Sequence, residues 1–380
     1  MAKLNDFKWK HYVNYIAVAI VTIVFGALSF GGMLPSSTLY LLEKIAISII
    51  LAVSLSMVVG FLGELSLGHA GFMCVGAYIG GKASVLLEPA LKSLPAGKEI
   101  AFVISLIVGG VVAAVFGIII GLPALRLKGD YLAIVTLAFG EIVRSVFMNS
   151  SSESFGGALG LSTPRYDKNT LFIIAFVLVL VCLAVTQNLI RSKHGRAITA
   201  IRDNEIAARA TGIDVTKYKL AVFTISSLFA GIAGVLYSYS NYNVQSAKFS
   251  YNYSIEILVM VVLGGMGNIN GSIIAATLIT YLDTTLQTIL TGDLAVLQDL
   301  LYALILIVIV IYNNAPALKG FRERYNLANL MKSKKNDPSH QHDDEHKWDR
   351  VPTKIQMNEV LSVDLQPQMS TVDPDKKEGK

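Results

Sequence analysis

Apolar residues run along this chain in long unbroken stretches, without the alternation or one-sided spacing of elements that share their faces between water and a core. Stretches near 16–34, 39–62, 100–125 and 171–190 can each cross a hydrocarbon layer of about 30 Å, which takes roughly 20 residues as a helix. Shorter or interrupted stretches lie at 70–87, 131–148, 218–240, 254–264, 272–290 and 297–312. Lipid offers no hydrogen bonds, so each backbone must satisfy its own groups as a helix. The pattern predicts an all-α polytopic membrane protein with about ten transmembrane or partly re-entrant helices. At 1.5 Å per residue, 254–264 cannot cross alone and is expected to be half of a broken or re-entrant helix.

Charge orients these segments. Residues 191–219, RSKHGRAITAIRDNEIAARATGIDVTKYK, carry Arg191, Lys193, Arg196, Arg202, Arg209, Lys217 and Lys219, the basic excess of a cytoplasmic loop. Counting six crossings before this interval and four after it puts both termini in the cytoplasm, together with Arg126 and Lys128 of the RLKGD turn. The chain then divides into a cytoplasmic N-terminus (1–15), a transmembrane domain (16–318) and a cytoplasmic tail (319–380). The lysine-rich start MAKLNDFKWKHYVN lacks a small-residue cleavage site and is expected to be retained. The tail has too little apolar content for a core and is expected to be disordered, and His340, His342 and His346 within it fit a solvated tail better than a metal site.

Composition agrees with a membrane protein: 53% of residues are hydrophobic and 16% charged, against about a quarter charged in soluble domains. The net charge of +5 is spread over loops and tail, which gives no call for nucleic acid. Cys74 and Cys182 lie in separate apolar runs without metal-type spacing and are expected to be packing residues. No phosphate-binding loop, dinucleotide fingerprint or HExxH motif occurs, so the chain is not expected to be an enzyme, to hydrolyse ATP or to hold a metal.

Three features remain as candidates for function. Within the charged interval, Asp203 or Asn204 can cap a short helix through Glu205, Ala207 and Ala208 that Gly212 closes in a left-handed turn. About two turns are too few to be stable alone, so the helix needs a surface, either its own spans or a soluble partner; a plain positive-inside loop is the other reading. Two glycine-interrupted segments, LSMVVGFLGELSLGHAGF at 55–72 and LVMVVLGGMGNINGSI at 258–273, share a Met-Val-Val entry and a polar turn. They suit either a duplicated architecture lining a pathway or ordinary small-residue packing. The candidate pathway or gate residues are Gly63, Glu64, Ser66, Gly68, His69, Gly264, Gly265 and Gly267. Finally, Glu43, Glu64, His69, Glu141, Arg144, Glu256, Asp283 and Asp299 lie in or beside apolar runs, at a cost on the order of 3 kcal/mol each at mid-bilayer. Glu141 and Arg144 can pair as i,i+3 neighbours, Glu64 and His69 suit a gate or a cap, and Glu256 is expected to stabilise a helix start.

Four stretches, in order, resemble the membrane subunits of ABC importers for branched-chain amino acids: VVGFLGELSLGHAGFMCVGAY (58–78), RLKGDYLAIVTLAFGEIVR (126–144), HGRAITAIRDNEIAARATGIDVTKYKLAVFTISSLFAGIAGVLY (194–237) and SIEILVMVVLGGMGNINGS (254–272). The third is similar to the EAA loop that docks on an ATPase subunit, with Glu205, Ala207, Ala208 and Gly212 at the motif positions and Arg196 ahead of them. Ile206 splits the Glu-Ala-Ala run, and no Ile-x-Leu-Pro follows. The resemblance implies a permease that moves leucine, isoleucine and valine inward across a bacterial or archaeal inner membrane. It also implies partners: a second homologous permease, two ATP-binding subunits and an external substrate-binding protein. The subunit itself would bind no cofactor, ATP being used by its partners. The alternatives are a proton- or sodium-coupled carrier working through Glu64, His69 and Glu256, and a passive channel.

Overall fold

A computed structural model describes residues 13–93, 96–127 and 129–290, and beyond them 300, 301, 303, 304 and 307. The N-terminal lysines, Lys128, Asp299, most of the 297–312 segment and the 319–380 tail lie outside the described residues, as do both termini.

Helices form where nine of the apolar segments were expected. They are α1 (Val13–Phe30), α2 (Ser36–Ser56, continued by a π-helical turn at Met57–Leu62), α3 (His69–Leu91), α4 (Gly97–Ala124) and α5 (Asp130–Met148). After a four-residue turn of helix, α6 (Ser152–Phe155), come α7 (Lys168–Arg191), α8 (Lys193–Asp203), α9 (Glu205–Ala210), α10 (Val215–Asn241), α11 (Tyr251–Gly264) and α12 (Ile269–Ile289). Among the described residues six are long and apolar enough to cross a membrane: α2 with its π-turn, α3, α4, α5, α7 and α10. α1 and α11 are apolar but shorter, and Thr280, Asp283, Thr284 and Gln287 dilute the apolar run of α12.

Apolar faces are tolerated in lipid, so burial and not hydropathy separates inner from outer helices. α2 is the innermost, with 94% of its apolar window buried against 39% for α4. α4 shows how one sequence serves two surroundings. Val103, Ile107, Val111, Val115, Ile119 and Leu122 recur at helical spacing and are exposed, while small Gly109, Gly110, Ala113 and Gly117 face inward. Small inward residues let α3, α4 and α10 pack backbone to backbone. The tightest backbone approach among them is at Gly234, where an added Cβ would lie 2.0 Å from the Met73 carbonyl oxygen, with Gly76 next at 2.2 Å from the Gly231 carbonyl oxygen.

Two helices start away from the ends of the bundle. Residues 63–68 leave the π-turn of α2 and run back along it, so that α3 begins with His69 Nε2 2.8 Å from Ser54 Oγ. At the opposite end, Tyr242 turns left-handed and a two-residue strand, β2 (Asn243–Val244), pairs antiparallel with β1 (Leu161–Ser162). A 3-10 turn at Ser246–Phe249 then leads inward to α11. α11 is 14 residues, about 21 Å, and does not cross alone, in keeping with a broken helix. The 254–264 segment therefore starts earlier than expected, at Tyr251, which leaves Glu256 in the second turn and not at the helix start.

The ends of the bundle can be assigned by labelling. The basic interval and the β1–β2 end lie at opposite ends of α7 and α10. Cysteines at Ser152 and Asn243 should label from outside the cell and one at Thr211 should not, with little background because Cys74 and Cys182 are buried. External labelling at Thr211 would invert the scheme.

Candidate functional site

The charged interval folds as two short helices where the sequence suggested one. Ser192 Oγ accepts the His194 and Gly195 N–H groups to start α8, whose Ile198 and Ile201 face inward. Asn204, the second of the two expected caps, accepts the Ala207 N–H at 3.0 Å to start α9. Gly212 follows the last turn with φ +86°, the left-handed closure expected of it. Ala208 is 4% exposed and packs into the chain's own core, so it seats α9 on the bundle. The outward side carries Ala207, Arg196, Arg209 and Ile206, the last 77% exposed.

A buried charge cluster ties these helices to the bundle. Lys219 Nζ donates to Glu64 Oε1 and, at 3.1 Å, to Glu205 Oε2, while Glu205 Oε1 accepts from Arg209 at 2.9 Å. The Lys219 side chain is only 4% exposed and that of Glu64 12%, so this is a desolvated network and not a surface pair. One cation thus joins α9, the second turn of α10 and the segment that leads into α3. A parallel strut runs from Arg202, whose Nη1 donates to the Gly60 carbonyl at 3.2 Å and whose guanidinium also grips Asp203. Gly63, with φ +79°, lets the chain turn beneath the Arg202 stem.

The displaced helix starts need partners for the first N–H groups, which no turn of their own helix can satisfy. Neither Gly68 nor Ser250 caps its helix through its own side chain. The Ala70 N–H donates instead to Ser254 Oγ at 3.1 Å, so α11 caps α3. The Tyr251 N–H donates to Glu141 Oε1 at 2.8 Å, so α5 caps α11, and the second oxygen of Glu141 takes Arg144 at 2.8 Å as expected. The Leu67 N–H donates to Thr136 Oγ1 at 3.0 Å. Ser66 is buried, and its hydroxyl has no partner among the described residues.

Of the expected gate residues, Gly63, Glu64, Ser66, Gly68 and His69 line one continuous segment, while Gly264, Gly265 and Gly267 form the tight α11–α12 turn. The two glycine segments touch, since a Cβ on Gly60 would lie 2.5 Å from the Gly267 nitrogen, but they differ in backbone form. The first is a run between helices that return at different depths, the second a hairpin turn. Glu64, His69 and Glu256 are not gathered: Glu64 holds Lys219, His69 meets Ser54, and Glu256 lines a cavity with Asp283. Glu43 is buried and accepts from Ser240 at 2.5 Å. Sequence reasoning passed over Lys44, which pairs with Asp283 at 3.4 Å; a lysine inside the apolar run 39–62 was the available signal. It also counted Lys219 only as loop charge, although an apolar span begins around it.

Comparisons with known proteins converge on one family. The family described as branched-chain amino acid transport system / permease component matches residues 37–310. The chain is 37% identical over 265 residues to the high-affinity branched-chain amino acid transport system permease protein LivM of Salmonella typhimurium, covering 61% of this chain and 60% of that protein. It is 35% identical over 292 residues to the LivM protein of the same description from Escherichia coli, covering 68% and 66%. The probable branched-chain amino acid transport permease protein LivM of Methanocaldococcus jannaschii is 31% identical over 254 residues, covering 58% and 73%. The chain spans less than two thirds of the length of the first two relatives. No solved structure matches it. The family match begins at α2 and runs past α12, taking in the seated helix α9, the Lys219 cluster and both displaced helix starts, and so the chain belongs to the branched-chain amino acid transport system permease family.

Proposed function

We propose that this chain is a membrane-spanning subunit of an ATP-driven importer that moves leucine, isoleucine and valine into a bacterial or archaeal cell. It works with a second permease, two ATP-binding subunits and an external binding protein. The observation that carries the reading is the Lys219 cluster, because it connects a solvent-facing helix to the segment preceding α3 through groups that cannot slide past one another. In this reading an ATPase subunit grips α9 around Ile206. Closure of the ATPase pair moves α9, Glu205 carries the motion to Lys219, and Lys219 carries it to α10 and to Glu64 at once. The segment 63–68 then shifts together with the α3 start, opening one side of the pathway as the other closes.

An isoleucine 77% exposed on a two-turn helix is the apolar knob such docking needs. Replacing Ile206 with aspartate should lower co-purification of the ATPase by on the order of tenfold, the equivalent of about 1.4 kcal/mol, while the membrane level of this subunit is maintained. Unchanged co-purification and unchanged ATP-driven leucine uptake would leave α9 as an ordinary loop. Gly212→Val should act more weakly. Nothing lies within 4 Å of an added Cβ there, so the strain of its left-handed φ, about 1 to 2 kcal/mol, is the whole effect. Vesicles containing this chain alone provide the contrast: leucine uptake driven by an ion gradient would establish a carrier in place of an importer subunit.

A further inference from the structure

Four helices, α2, α10, α11 and α12, enclose a cavity of about 270 Å³ toward the β1–β2 end of the bundle, away from the Lys219 cluster. Its lining is unusual for an apolar bundle: Lys44 is a cation and Glu256 and Asp283 anions on the helices, and a second cation, Lys248, stands at the rim on the exposed 3-10 turn. Ionised side chains are costly inside a membrane segment, and here α2, α11 and α12 each bring one, Lys44, Glu256 and Asp283, to the same small space. Lys44 and Asp283 hold each other at 3.4 Å, longer than the roughly 2.7 to 2.9 Å of a tight charge-assisted bond, and each side chain keeps about a quarter of its surface accessible (25% and 22%). Asp283 also accepts from Gln287 Nε2 at 3.0 Å, so it keeps a partner when Lys44 turns to a guest. Thr280, on the wall beside Asp283, is 4% exposed, and its hydroxyl has no hydrogen-bond partner among the described residues. Ile47 and Phe249 supply an apolar side.

We propose that this cavity binds the transported amino acid as a zwitterion, its carboxylate between Lys44 and Lys248, its ammonium group against Asp283 and Glu256, and its aliphatic side chain against Ile47 and Phe249. This rests on the importer reading above and adds a place for the cargo within this subunit. A zwitterion presents one charge of each sign a bond or two apart, and a cavity that carries both signs can exchange its internal pairs for pairs with the guest at little net electrostatic cost. The Thr280 hydroxyl gains the partner it lacks. A molecule with only one of the two charges would leave a lysine or a carboxylate desolvated and unpaired, which is the basis of selection.

The test uses the complete transporter in vesicles, with Cys74 and Cys182 replaced by alanine and Thr280→Cys introduced as a reporter. Leucine should slow modification of the new thiol by a small methanethiosulfonate reagent by on the order of tenfold. Leucine analogues lacking either the amino group or the carboxylate should protect poorly. Independently, Lys44→Gln combined with Asp283→Asn, which removes one charge of each sign and so leaves the net charge unchanged, should raise the half-saturating leucine concentration by on the order of tenfold or more. Unaltered labelling in the presence of leucine, or equal protection by the two singly charged analogues, would overturn the site while ATP-driven leucine uptake by the same vesicles kept the importer reading. Absence of ATP-driven leucine uptake from the unsubstituted transporter would remove both.

Discussion

Replacing Lys219 with methionine is expected to cost about 3 to 5 kcal/mol, because it strips a buried cation from two carboxylates and leaves Glu64 charged, enclosed and unpaired. The apparent melting midpoint of the purified subunit should fall by on the order of 5 to 10 °C, and ATP hydrolysis in the assembled transporter should lose its dependence on substrate. Glu205 retains Arg209, so most of the damage comes from Glu64. The double variant Lys219→Met, Glu64→Gln should recover much of the stability, since it removes the stranded charge, but not the substrate dependence, since no rigid link remains. Thermal unfolding measured beside stimulated hydrolysis separates the two effects. A Lys219→Met protein that melts normally would mean the cluster is solvated in the membrane, and a double variant with normal stimulation would dismiss it as the coupling path.

The second large effect is expected at Gly68. A Cβ there would lie 2.6 Å from the Thr136 carbonyl oxygen and 3.1 Å from its Cβ, neither of which can yield without moving α5. Gly68→Leu should therefore push the segment off α5, break the Leu67 to Thr136 bond and abolish uptake, with Gly68→Ala intermediate. At Gly265 an added Cβ meets nothing closer than 3.8 Å and suffers from its φ of +88°, so substitution there should be the milder lesion, at about 1 to 2 kcal/mol. Membrane abundance by immunoblot, read beside uptake, checks both. Normal uptake by Gly68→Leu at normal abundance would remove this segment from the pathway.

Much of the helical layout was readable because long apolar runs leave a backbone in lipid no alternative to a helix. The α9 cap, its left-handed closure and the Glu141–Arg144 pair were equally local, set by residues three or four apart. What escaped the sequence depends on distant contacts. Glu64 and Lys219 are 155 residues apart, and nothing at either position names the other. Ala208 stands at a position of the docking-loop motif, yet small residues serve close packing inside as well as outside, and here it is inside. The two glycine segments look alike in composition, but glycine permits many backbone forms, and one became a run between helix starts while the other became a hairpin turn. The depth at which α3 and α11 begin was also invisible, since apolar periodicity says where a helix can lie but not how far into the bundle its first turn sits.

The capping of α3 by a residue of α11 also constrains how the chain is made. The Ala70 N–H finds its acceptor on Ser254, 184 residues later. A ribosome delivering the chain to the membrane must therefore place α3 long before its partner exists, with the first turn of that helix held open in the meantime by water or by an assembly factor. Chains released before α11 emerges carry this defect permanently. Quality-control proteases should clear truncations ending between α10 and α11 faster than those ending just after α11, although the two differ by little more than a single short helix.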